Sequence, residues 1–263
     1  MRKKIRIGIL AVLAVVFCVS AYNAGKILWD NWQSEKTNKG LQTQYVTVLP
    51  TQPPATQGPT QPGQTPAPTE PEPEKPKLAV DFEGLRKINQ DVVGWLYCEG
   101  TYIHYPVVQG KDNSKYIRTG LDGSWLISGT LFVDFRNREL GQDRNYIIYG
   151  HNMKTDRMFG SLVKYKDQAY YEAHPTLLYL TPEGDYLVEA VAGRIVDEQE
   201  ILYAPNPDPA AYEQFLRTTL ENSTFRSGLS ISPADNLMIL STCSQEKVTT
   251  RYVLICKYTP ITK

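Results

Sequence analysis

The sequence predicts a mainly β domain: a barrel or sandwich of about eight short strands, with one helix leading it and another inserted before the last two strands. Runs rich in Val, Ile and Tyr recur at short intervals between turn residues from Gly94 onward. Helical periodicity is confined to a few short stretches, which points to a mixed but mainly antiparallel sheet. Tyrosine, at 17 residues against 7 phenylalanines, suits sheet faces and grooves that need amphipathic aromatics.

In chain order, residues 1–6 (MRKKIR) are basic, and Ile7 to Tyr22 is uncharged and mostly apolar. This is an export element, intermediate in length between a signal-peptide core and a full membrane span. The basic leader keeps the N-terminus inside, and Trp29 and Trp32 suit an interface just beyond the apolar run, so an uncleaved single-pass anchor is expected over residues 1–24. Val19-Ser20-Ala21 leaves cleavage open as the alternative. Residues 25–77 read as a juxtamembrane and Pro/Thr/Gln-rich linker. The stretch TQPPATQGPTQPGQTPAPTEPEPEKPK has almost nothing apolar to bury, and its prolines favour extended polyproline II, a passive spacer of at most about 80 Å.

The folded domain is expected over residues 78–263. Phe82, Leu85 and Ile88 repeat at helical spacing and mark the leading helix. The strands that follow are GWLYCEG, TYIHYPVVQG, SGTLFVDF, NYIIYG, HPTLLYL, DYLVEAVAGRIV, NLMILSTC and RYVLICKYT. A helical piece is expected around Met158, Phe159 and Leu162. Another spans Pro209 to Glu221, with Asp208 as N-cap, Pro209 at N1 and Tyr212, Phe215, Leu216 and Leu220 on one face.

Positive and negative side chains balance at 28 each, with no basic block past the first residues, so nucleic acid is not an expected partner. The four cysteines, Cys18, Cys98, Cys243 and Cys256, include no CxxC pair, which argues against a metal site. Cys98 and Cys256 read as buried small hydrophobes in strands, with a bridge between them as the alternative.

The sharpest local feature is NLMILSTCSQEKVTTRYVLICKY, two apolar strands around the polar stretch Ser244 to Thr250. Antiparallel pairing there sets Cys243 and Arg251 near each other at one rim of the sheet. A thiol attacks acyl carbons as the thiolate and needs a neighbouring base or cation at neutral pH. Of the three histidines, His151 sits where NYIIY meets a glycine and a polar segment, a position that presents an imidazole at the rim. His104, inside the strand pattern next to Pro106, and His174, before Pro175, read as structural.

The stretches DVVGWLYCEGTYIHYPVVQGKDNSKYI, GTLFVDFRN, NYIIYGHNM with MFGSLVKY, and LSTC with Arg251-Tyr-Val-Leu are similar to class B sortases, from about Phe82 to Tyr258. These are cysteine transpeptidases of the Gram-positive cell envelope, and His104 departs from the acidic residue expected in the YPV strand. The resemblance implies a sortase-type β-barrel and no cofactor. It implies Cys243 as nucleophile, His151 as acid/base and Arg251 as stabiliser of the developing charge. Ser241 and Thr242 are candidates to line the substrate groove, and Tyr149 and Asn152 to orient the histidine. The implied substrates are secreted proteins with a C-terminal sorting motif, and the implied acceptor is a peptidoglycan amine or a pilin lysine. An extracellular cysteine peptidase with the same site is the competing expectation, and a non-catalytic wall-binding module a more distant one.

Overall fold

In the computed structural model of the chain, residues 2–49, 77–197, 200–243 and 250–261 are described. The first element, α1 (Arg2–Tyr45), is one continuous helix of 44 residues. It holds a segment long and apolar enough to cross a membrane, and none of that segment is buried against the rest of the protein. Its last turns pack on the domain. Leu41 and Tyr45 lie against a cluster around Leu85, Trp95 and Phe132. The Gln42 side chain donates to the carbonyl of His104 at 2.8 Å, and Glu35 pairs with Arg157 at 2.9 Å.

The next strands, β1 (Val46–Leu49) and β2 (Lys77–Val80), pair antiparallel with Leu49 opposite Lys77. Here the structure differs from the spacer expectation: residues 25–45 are helical, and the two ends of the Pro-rich segment stand side by side. The Pro-rich residues 50–76 themselves lie outside the described residues.

The leading helix, α2 (Phe82–Ile88), is capped by the Asp81 carboxylate, which accepts from the Gly84 amide at 2.8 Å. It opens into β3 (Val92–Tyr97), β4 (His104–Val108), β5 (Leu131–Val133) and β6 (Asn145–His151). A 3₁₀ segment over Gly160–Lys166 and the short α3 (Gln168–Ala173) stand where one helical piece was expected. Then come β7 (Thr176–Leu180), β8 (Asp185–Asp197), α4 (Pro209–Glu221), β9 (Leu237–Cys243) and β10 (Thr250–Pro260). Asp208 caps α4 as its sequence predicts, accepting from the amides of Ala210 and Ala211 at 3.1 Å.

The eight strands from β3 to β10 close into a barrel in the order β10-β8-β7-β3-β4-β5-β6-β9, which leaves no open edge. Two neighbouring pairs, β4–β5 and β6–β9, run parallel, and the others antiparallel. Side-chain alternation divides the strands between two environments. Tyr146, Ile148, Met238, Leu240, Leu254 and Cys256 fill the interior. Ile147, Ile239, Val253 and Ile255 point outward beneath Tyr212, Phe215 and Leu216 of α4. Cys98 and Cys256 are free and buried in the interior, as the packing reading predicts.

Candidate active site

Three strand ends meet at one end of the barrel. β6 and β9 run parallel, and their last pair sets His151 opposite Cys243. β10 returns antiparallel beside β9 with Val253 opposite Ser241, and continuing that register two residues brings Arg251 level with Cys243. Positions 151 and 251 alternate in phase with Ile147 and Val253, so both lie on the outer face, and 243 falls in the register of Ile239. The hairpin expected from the sequence is present in its two strands; residues 244–249 between them lie outside the described residues.

The strand reaches one step further than the sequence suggests. β6 runs through Gly150 and ends on His151 itself. A side chain at Gly150 points inward and overlaps Leu131 and Phe159, so only glycine fits where the strand passes over that packed pair. His151 is 4% exposed. Its Nε2 lies 2.5 Å from the carbonyl oxygen of Ile117, which can only accept, so Nε2 carries the donated proton. Its own carbonyl accepts from the Phe159 amide at 2.9 Å, which closes the loop that follows. Asp156 and Met158 in that loop hold left-handed backbone, φ 60° and 53°. Asn152, exposed, bridges across to Met158.

Arg251 is half-buried and its Nη1 donates to the Thr242 carbonyl at 3.4 Å, a long contact that holds the side chain along the end of β9. Thr242 is 3% exposed and turned inward. Its hydroxyl takes the Tyr252 amide and reaches the Tyr252 carbonyl, both at 3.2 Å. Ser241 has no exposed surface, and its Oγ lies 2.9 Å from the Tyr203 hydroxyl. Both side chains are thus engaged within the protein, next to the site.

Behind the site lies a network that sequence reasoning missed. Asp134, fully buried, takes two bonds from Arg136, Nε at 2.8 Å and Nη2 at 2.7 Å. It also accepts the Tyr149 hydroxyl at 2.9 Å and the Asn113 amide at 3.0 Å. Arg136 donates on to the Tyr203 carbonyl at 2.8 Å, and Tyr149 stacks on Tyr203 with ring centroids 6.2 Å apart. Burial pushes the Asp134 carboxyl up, but the Arg136 guanidinium and amide, the tyrosine and the asparagine outweigh it and hold the group below the usual carboxylate range. The Tyr149 hydroxyl is pushed up by burial and by the Asp134 charge beside it. The chain of contacts thereby joins Tyr149, two residues before His151, to Ser241, two residues before Cys243. The signal was an aspartate closing the apolar run TLFV with an arginine two residues on.

The other two histidines are structural. His104 packs edge-on against Trp95 and Tyr97, and His174 packs at a tilt against Tyr170 with its Nδ1 3.0 Å from the Glu99 carbonyl. Among the described residues no three His, Cys, Asp or Glu side chains are grouped to hold a metal ion.

A sortase-domain family model matches residues 96–259, which include β4 to β9, β10 as far as Thr259 and all three positions of the site. Sortase B of Listeria monocytogenes is 36% identical over 168 residues, 64% of this chain and 68% of that protein. A crystal structure of a sortase B complexed with triglycine superposes with a TM-score of 0.66 at 32% identity, covering 69% of this chain and 86% of that one. That of Bacillus anthracis sortase B gives a TM-score of 0.69 at 27% identity, covering 89% and 100%. With a matching barrel, a matching domain and this identity over most of its length, the chain belongs to the sortase B family of cysteine transpeptidases.

Proposed function

We propose that Cys243 is the nucleophile, His151 its acid/base partner and Arg251 the group that stabilises charge in the transition state. The observation that carries this reading is the pairing of His151 with Cys243 at the ends of adjacent parallel strands, with Arg251 at the start of the next. The Cys243 thiolate attacks the carbonyl carbon of a threonine in a C-terminal sorting motif, forming a thioester as the C–N bond breaks. His151 gives its proton to the departing amine. An incoming amine then attacks the thioester, loses a proton to His151 and displaces the Cys243 thiolate, which restores the starting thiolate and protonated imidazole. Arg251 offers a fixed cation to the oxyanion, charge that develops only as the tetrahedral species forms. Tyr149 and Ser241 hold the two strands in register from behind, Thr242 fixes the β9–β10 pairing, and Asn152 shapes the turn after the histidine.

The substrates on this reading are secreted proteins carrying the motif, and the acceptor is an amine of peptidoglycan or a pilin lysine. The triglycine bound by a sortase B relative favours a short peptide amine as acceptor. The exposed apolar half of α1 supports a retained single-pass anchor with the barrel outside the cell. The test is the product profile of the full chain in detergent with a panel of sorting-motif peptides, with and without triglycine, beside Cys243→Ala. Cleavage that needs Cys243 and an amine-ligated product are expected. Hydrolysis alone across a panel of amines turns the reading toward a cysteine peptidase, and cleavage that survives Cys243→Ala overturns the mechanism.

A further inference from the structure

The orientation of the barrel on the membrane follows from where α1 enters it, given the reading of α1 as a retained anchor. Large apolar side chains stand exposed along α1 from Ile7 to Trp32, with Trp29 at 61% and Trp32 at 50%. A hydrocarbon core about 30 Å thick takes roughly 20 helical residues, which counted from Ile7 reaches Lys26. Trp29 and Trp32 then lie in the headgroup layer, where indoles concentrate, and Lys36 sits with its ammonium 5.2 Å from the Trp32 ring. Glu35, three residues past Trp32 and so about 5 Å further along the axis, is already in contact with the barrel through Arg157.

Strand directions say which end of the barrel that is. β6 ends at His151, β9 ends at Cys243 and β10 begins at Thr250, all at one pole. β4 starts and β3 ends at the same pole, joined by the tight turn in which the Cys98 amide meets the Ile103 carbonyl. α1 touches Arg157 first, then the His104 carbonyl through Gln42, then the Asp81 amide through the Tyr45 carbonyl. It therefore enters at the pole of the site and runs away from it along the barrel. Around the entry point, Lys39 and Arg157 pair with Glu35 and Lys164 with Asp156, while Lys36 and Lys154 add two cations and Asp30 and Glu99 two carboxylates, a balance of five positive charges against four negative. Tyr102 is 53% exposed there with the Arg157 guanidinium 5.2 Å from its ring.

We propose that the barrel pole carrying His151, Cys243 and Arg251 rests on anionic lipid headgroups through Tyr102, Lys154, Arg157 and Lys164, so that the reaction takes place at the membrane surface. Net positive charge at the point of entry matches an anionic leaflet, and the attraction is felt only within a Debye length of about 8 Å. An amphipathic tyrosine beside the anchor suits the same layer.

The test uses the full chain in phosphatidylglycerol–phosphatidylcholine vesicles, in a Cys18→Ser, Cys243→Ala background that leaves only the buried Cys98 and Cys256. A fluorophore is attached at Tyr102→Cys or, at the opposite pole, at Glu183→Cys in the β7–β8 turn, and a headgroup-labelled quencher lipid is added. Quenching at 102 at least threefold stronger than at 183 is expected. Lys154→Glu with Lys164→Glu, 0.5 M salt, or phosphatidylcholine alone are each expected to cut the quenching at 102 by at least half. Equal quenching at both positions in a chain that sediments with the vesicles overturns the proposal and leaves the anchor intact. A chain of full length that does not sediment with vesicles overturns the anchor and, with it, this surface.

Discussion

The two faces of β6 and β9 are held by different physics. Inward, Tyr146, Ile148, Met238 and Leu240 pack in an interior whose stability comes from apolar area removed from water. Outward, one residue away along the same strands, Tyr149 and Ser241 are held by directional bonds that converge on Asp134, Arg136 and Tyr203. Apolar packing keeps the barrel closed but tolerates small shifts. A chain of charge-assisted hydrogen bonds does not, and it lies two residues behind the paired ends of the strands.

The largest expected effect separates chemistry from both faces. Cys243→Ala and His151→Gln are expected to lower kcat/KM by about 10³-fold or more, with the thermal midpoint within about 2 °C of the parent. Arg251→Lys keeps the charge but loses the planar fork, and a loss of about 10²-fold is expected, read mainly in kcat. A parent-like kcat in either His151→Gln or Arg251→Lys removes that residue from the mechanism.

Second in size is Asp134→Asn, which removes the charge from a fully buried acceptor held by Tyr149, Asn113 and the half-exposed Arg136 guanidinium, and is expected to cost about 2 kcal/mol in urea unfolding. Because the folded group titrates below its unfolded value of about 3.9, its stabilisation is complete above that pH and is lost as pH falls through the lowered value. The variant is therefore expected to show a shallower acid-side slope than the parent. A cost under about 0.5 kcal/mol puts the strength of the outer face elsewhere. Third, Gly150→Ala crowds the interior against Leu131 and Phe159, and a cost of about 1–3 kcal/mol with the outer network intact is expected.

Most of the barrel was legible because its strands are short, β-branched and separated by turn residues; each of the eight expected runs overlaps one observed strand. The cap and N1 proline of α4 were equally legible, since both act within four residues of sequence. The end of α1 was not. Pro and Gln in residues 42–77 signal a loss of helix, but the helix persists to Tyr45 because Leu41 and Tyr45 find a surface formed by α2, β3 and β5, tens of residues away. The network behind the site was also invisible, since Asp134, Tyr149, Tyr203 and Ser241 come from four separate segments, and only the closed barrel brings them together. His151 and Arg251 were legible as strand-end residues, but the parallel pairing of β6 with β9 that sets His151 opposite Cys243 is a long-range fact.

The smallest expected effect concerns His104, where the interior and outer styles of support meet. Its ring is part-buried between Trp95 and Tyr97, and its Nε2 is buried without a hydrogen-bond partner. Burial pushes the imidazole from 6.5 down to about 4. The unfolded chain therefore takes up a proton at higher pH than the folded one, and stability present above about pH 6.5 drains away as pH falls toward about 4. Water reaches part of the ring and screens the charge, so the loss is expected to be about 1 kcal/mol, well short of the full shift. Urea midpoints of the parent and His104→Phe at pH 7 and pH 4.5 read it directly. The parent should lose more stability between the two pH values than the variant, and parallel losses in both would mean that the ring titrates as it does in the unfolded chain.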